Sequence, residues 1–235
     1  MAAGSHDENA VILLPNRYDR GLADCKLSSW CRERRPLEEQ FLAPQSTVPQ
    51  EVILTRWITD SSMDGTNNNN GDATGNDTKE TTVTLELLEG LTSNLFVVNH
   101  HQRMVRTAPT SVALPGFARH MAMQSLQRLG YTILLDGPQV RLTTKGDRIM
   151  DATPLPLVHD DDERGVSSSW SEVFVTSSIS LVTAVHTILA PDGETVVWRQ
   201  SRRNDVTPEQ WVSQLVHQDI LNGKDDDWID VRLRC

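Results

Sequence analysis

Residues 89–98 read Glu89-Gly90-Leu91-Thr92-Ser93-Asn94-Leu95-Phe96-Val97-Val98. A polar turn containing glycine runs straight into four large apolar residues, and an apolar run at 83–88 precedes it. This reads as a turn between two strands, 83–88 and 95–98. Working outward, 51–58 is another strand-like run. Between it and the turn lies DSSMDGTNNNNGDATGNDTKETT, residues 60–82, whose only large apolar residue is Met63. Such a stretch cannot bury enough surface to offset its ordering entropy. It is expected to be a disordered insertion in a hairpin.

Downstream, Pro115-Gly116 opens an amphipathic helix over 117–129. Its buried face is expected to carry Phe117, Met121, Ser125 or Leu126, and Leu129, with Gly130 as the stop. Strands are predicted over 131–135, 173–175 and 181–189. Asp192-Gly193 makes a hairpin turn, with a return strand over 195–198. The acidic run Asp160-Asp161-Asp162-Glu163 reads as a solvated loop. Thr207-Pro208-Glu209-Gln210 is a capping-box signature. The helix behind it is expected to bury Trp211, Val212, Leu215, Val216 and Ile220 and to stop at Gly223. The tail from Lys224 is charged.

The bulk numbers bound the function. The chain has 235 residues and a net charge of −10, which argues against nucleic acid or an anionic membrane as partner. Only 38% of residues are hydrophobic, in keeping with a polar insertion. No apolar run approaches the roughly 18–20 residues of a membrane span. The longest near the start, 10–14, follows Asp7 and Glu8 and does not read as a signal peptide. Three cysteines, Cys25, Cys31 and Cys235, suggest neither a disulfide framework nor a zinc site. A cytoplasmic location is expected, an organellar one staying open. No phosphate loop, Rossmann glycine pattern, nucleophile elbow or zincin motif occurs. His100-His101 on a strand would point to opposite faces, so no metal role is expected.

Three short motifs remain: the turn at 89–96, Leu114-Pro115-Gly116-Phe117-Ala118-Arg119, and Glu172-Val173-Phe174-Val175-Thr176-Ser177-Ser178. Alone they are a turn, a helix start and a strand end. In this order they resemble the class IV aminotransferases (the branched-chain and D-amino acid type), fold-type-IV enzymes that use pyridoxal 5′-phosphate. The resemblance implies an α+β (mixed α/β) fold: the family's large-domain pseudo-barrel of mostly β-strands with flanking helices. It implies a remnant over 1–25, the large domain over 26–223 with the insertion 60–82, and a tail over 224–235. The N-terminal small domain would be largely absent, since only 25 residues precede Lys26.

The resemblance also assigns roles. The Schiff-base lysine lies upstream of the turn, and Lys26 is the lysine in that place. Its surroundings are similar to a plant-type branch, with Cys31 where some members carry a tyrosine. Glu89 would face the pyridine nitrogen, with Ser93 and Asn94 orienting the turn. The phosphate would meet backbone N–H groups of Phe117 and Ala118 and the groups of Ser177 and Ser178. Ala118 stands where many members have a threonine. The small domain's phosphate-binding arginine has no counterpart here. The implied substrates are an amino acid and a 2-oxo acid, by transamination or a related lyase reaction, in a homodimer. The alternative is a truncated, non-catalytic domain that binds the cofactor weakly or serves as an interaction module.

Overall fold

The computed structural model describes residues 10–14, 28–42, 51–58, 80–157, 170–200 and 211–223. In chain order the elements are β1 (Ala10–Leu14), α1 (Ser28–Phe41), β2 (Glu51–Ile58), β3 (Glu80–Gly90), β4 (Asn94–Asn99), β5 (Met104–Arg106), α2 (Phe117–Arg128), β6 (Thr132–Leu134), β7 (Gln139–Lys145), β8 (Arg148–Pro154), β9 (Glu172–Ser177), β10 (Leu181–Val185), β11 (Thr187–Leu189), β12 (Val196–Arg199) and α3 (Val212–Asn222). The twelve strands form one sheet whose main path is β10-β9-β4-β3-β2-β1-β11-β12. The β7–β8 hairpin branches from β3, and β5 with β6 from β4. The sheet rolls until β8 comes up against β12. The fold is α+β.

All six residues of β4 are buried, and period-two geometry explains how they are used. Leu95 and Val97 join the core enclosed by the rolled sheet. Phe96 and Val98 point to the other side, into a second core made with α2 and α3. The neighbouring β9 divides the same way, Val173 and Val175 inward and Phe174 toward the helices. Phe96 and Phe174 are register partners, and their rings stack at 5.0 Å. Strands covered on both faces must be apolar throughout, which is why the sequence here shows runs rather than alternation.

The helices are pinned at their ends. Glu172 of β9 accepts the N–H groups of Val212 and Ser213, each at 2.8 Å, and so caps α3. The capping box expected at 207–210 lies outside the described residues, as do the acidic run at 160–163 and the tail. At the end of α2, Gly130 turns with φ +79°, and Arg103 donates to the carbonyls of Leu129 and Gly130. Arg128 of α2 pairs with Asp219 of α3.

Several sequence-based expectations need correction. The strand expected over 181–189 is two strands interrupted at His186: β10 pairs with β9, while β11 pairs with β1 and β12. The expected insertion ends earlier than 82. Glu80, Thr81 and Thr82 are already in β3, opposite Lys145, Thr144 and Thr143; residues 59–79 lie outside the described set. Phe117, expected to face inward, is 54% exposed. Trp211 and Leu215 are only half-buried, and Ser213 is buried instead. The sheet and helices also include elements with no sequence expectation: α1, with Pro36 inside it, the polar hairpin β7–β8, and β1.

Strand β1 matters most for closure. It runs parallel to both β2 and β11 and joins them. Leu13 is fully buried in the sheet core, and Ile12 faces the opposite way toward α1. Leu13→Ala is expected to lower unfolding free energy by about 2–5 kcal/mol, measured as a fall in urea midpoint at unchanged m-value.

Candidate functional site

The turn between β3 and β4 is built around a carboxylate from another strand. Gly90 N–H donates to Ser93 O at 2.8 Å, closing the turn. Leu91 N–H donates to Val52 O, and Leu91 O accepts the Trp30 indole N–H at 3.1 Å. Glu51 opens β2 and is 7% exposed. It accepts the N–H groups of Leu91 and Thr92 and the hydroxyls of Thr92 and Ser93. Gly90 packs directly on this cluster: a Cβ there would sit 2.3 Å from Ser93 Oγ and 2.8 Å from Glu51 Cδ. That is the physical need for glycine after Glu89.

Register then assembles the site. Glu89 lies opposite Asn94, and Asn94 lies opposite Thr176. The start of β4 and the end of β9 therefore bring the 89–94 turn and residues 176–178 to one edge. Glu89 is 2% exposed, and its Oε2 accepts Leu114 N–H at 2.8 Å. That bond ties the segment leading into α2 to the same edge. Gly116 is the N-cap, extended at φ −66°, and no side chain caps the helix. The first-turn N–H groups of α2 are therefore left for an outside acceptor. A Cβ at Gly116 would meet nothing nearer than Asn94 Nδ2 at 3.7 Å, so here the glycine serves openness rather than strain.

These segments line a cleft together with Trp30 and Arg34 of α1. Its walls hold buried polar atoms with no hydrogen-bond partner: Asn94 Oδ1, Thr176 Oγ1, and Arg119 Nε and Nη1. Arg119 is 1% exposed, and its Nη2 donates to Ala108 O. Burial pulls the Arg119 pKa below its ordinary value, and the negative charge of Glu89 works against that fall. An unsatisfied buried polar group costs about 1–3 kcal/mol, and three side chains of this cleft carry such atoms.

Of the residues singled out in the sequence, Glu89, Ser93, Asn94, Ala118, Ser177 and Ser178 line this cleft. The Phe117 side chain does not line it. Lys26 lies outside the described residues. Ser177 Oγ also accepts Ser180 N–H at 3.1 Å, fixing the turn after β9. Sequence reasoning gave no role to Trp30, Glu51, Arg119 or Thr176. Arg119 and Thr176 stand inside the quoted motifs, and that adjacency was the available signal. His100 ends elsewhere: its Nε2 lies 3.3 Å from Glu172 Oε2, beside the α3 cap.

No family model and no curated protein matches the sequence. Solved structures do match. A fold IV transaminase, CpuTA1, from Curtobacterium pusillum is similar over 93% of this chain and 55% of its own, with TM-score 0.50 and 17% identity. The fold is that of the fold-type-IV transaminases. A branched-chain amino acid aminotransferase from T.th., solved with pyridoxamine 5′-phosphate, is similar over 97% of this chain and 57% of its own at TM-score 0.50 and 14% identity. The branched-chain aminotransferase of Thermoproteus uzoniensis, solved with norvaline, gives 95%, 56%, 0.50 and 12%. The chain thus spans a little over half the length of these fold-type-IV structures.

The two glycines of this cleft are expected to behave differently. Gly90→Ala forces a Cβ into the Glu51 cluster and should cost about 1–3 kcal/mol. Gly116→Ala, with room for its Cβ, should leave the thermal midpoint within roughly 2 °C of wild type. Differential scanning fluorimetry of the two variants checks this.

Proposed function

We propose that this chain is a pyridoxal-phosphate-dependent class IV aminotransferase-like protein, transferring an amino group between an amino acid and a 2-oxo acid. The observation that carries the reading is the convergence of Glu89, Asn94, residues 176–178 and the uncapped start of α2 on one cleft with unpartnered polar walls. That donor set fits the cofactor. A dianionic phosphate needs several donors, and the N–H groups at 117–118 with the hydroxyls of Ser177 and Ser178 provide them. A protonated ring nitrogen needs a buried acceptor, and Glu89 is one.

When bound, the cofactor supplies an electron sink for carbanion chemistry. The residues of the chain do the rest. Glu89 accepts a hydrogen bond from the ring nitrogen and keeps the proton there. Leu114 N–H holds the Glu89 carboxylate in place. Lys26 Nζ supplies the amine that holds the cofactor and then moves a proton at the substrate α-carbon as acid and base. Ala118 offers its backbone N–H alone, a hydroxyl donor fewer than a threonine there. A homodimer is the proposed assembly.

The test is direct. The purified chain is incubated with pyridoxal phosphate, reduced with borohydride and mapped by mass spectrometry. A saturable adduct on Lys26, absent in Lys26→Ala, is expected; absence of saturable binding overturns the reading. Glu89→Gln should raise the cofactor Kd about 10- to 150-fold, the loss of one charge-assisted hydrogen bond. Turnover with an amino donor and 2-oxoglutarate separates an enzyme from a domain that only binds.

A further inference from the structure

Glu51 does not line the cleft; it lies behind the turn that does. Its two oxygens receive five hydrogen bonds. Oε1 accepts Val52 N–H at 3.0 Å and Leu91 N–H at 3.1 Å. Oε2 accepts Thr92 N–H at 3.3 Å, Thr92 Oγ1–H at 2.8 Å and Ser93 Oγ–H at 2.8 Å. With Gly90 packed against the carboxylate, every residue from 90 to 93 touches this one group. Among the described residues no Arg, Lys or His lies within ion-pair distance of it. Among the described residues its oxygens meet N–H and O–H dipoles and no opposite charge.

The arrangement has a chemical consequence. A carboxylate can only accept, so both hydroxyls must aim their protons at it. Ser93 and Thr92 line the cleft as well, and there they can show only lone pairs. We propose that Glu51 is a positioning residue: it locks the 90–93 turn and commits the Ser93 and Thr92 protons, so that the Glu89 edge of the cleft offers acceptors to a protonated ligand nitrogen. The inference deepens the cofactor reading and rests on it. Among the described residues, the charged groups around that edge are Glu89 from β3, Arg119 from α2 and Arg34 from α1, with Glu51 behind.

Glu51→Gln keeps the shape and reverses the logic. An amide NH₂ in place of Oε2 donates to Ser93 Oγ and Thr92 Oγ1, turns their protons outward, and leaves Thr92 N–H without an acceptor. Two measurements on the full chain test this. In the protein without cofactor, hydrogen exchange at the Thr92 amide should speed up at least tenfold in Glu51→Gln, while exchange at Leu91, which keeps Oε1 and Val52 O as acceptors, and in β4 stays unchanged. With ¹⁵N-ring-labelled pyridoxal phosphate bound, the pH midpoint of the ring ¹⁵N shift should fall by at least half a unit, because the edge no longer offers acceptors alone. If Glu51→Gln does not fold, Ser93→Ala, which removes one cleft-facing acceptor, should still lower that midpoint. Exchange and midpoint equal to wild type, or an unmoved midpoint in Ser93→Ala, overturn the inference. A wild-type chain that takes up no pyridoxal phosphate overturns the cofactor reading and with it the cleft half of the inference, while amide exchange still decides whether Glu51 locks the turn.

Discussion

Two adjacent strands that are covered on both faces set the rest of this structure. β4 and β9 send alternate side chains into the rolled sheet and into the helical layer. Burial of this kind leaves no room for a slipped register, since a one-residue shift would exchange the two sets of side chains. The observed register puts Phe96 on Phe174 and, at the strand ends, Asn94 opposite Thr176. The apolar packing in the middle of the strands thereby fixes which polar groups meet at their edge. α2 and α3 must lie where they do because Phe96, Val98 and Phe174 need covering.

This acidic chain puts its buried carboxylates to one common use. Glu51, Glu86, Glu89 and Glu172 are all nearly inaccessible. Each accepts a backbone N–H from a loop or helix start: Leu91 and Thr92, Gly137, Leu114, and Val212 with Ser213. Hydrogen bonds to an ionised acceptor are about twice as strong as neutral ones, and they serve N–H groups where the strand ladders and α3 begin or end. Three of the four fasten an irregular segment at the rim of the sheet, and Glu172 fastens a helix. The same device that holds the fold also places Glu89 in the cleft.

The sequence was legible where local physics decided the outcome. The strand at 51–58 and the apolar run after the turn are visible because they are short, apolar and bounded by turn formers. Asp192 and Gly193 signal their turn because Asp192 accepts the N–H groups of Glu194 and Thr195 while Gly193 takes φ +73°. Other elements were illegible for equally physical reasons. β7 and β8 carry Arg141, Thr143, Thr144, Arg148 and Asp151, mostly exposed, and owe their strand state to the pairing of β7 with β3 and of β8 with β7 rather than to their own composition. α1 holds a proline that speaks against a helix locally, yet Trp30 anchors it to the turn at Leu91. The apolar run at 181–189 gives no sign that its two halves pair with different strands.

Local sequence sets the residue types of the site: an acid and a glycine at a turn, a glycine before a helix, and hydroxyls at a strand end. Those choices answer local demands of backbone freedom, helix capping and strand termination. It takes the assembled sheet to make these segments share one cleft, to bury Arg119 beside Glu89, and to let Glu51, opening a strand 40 residues before Leu91, hold the turn. Those relations depend on strand register and on which side of a pleat faces which neighbour, and neither is set by residues close in sequence.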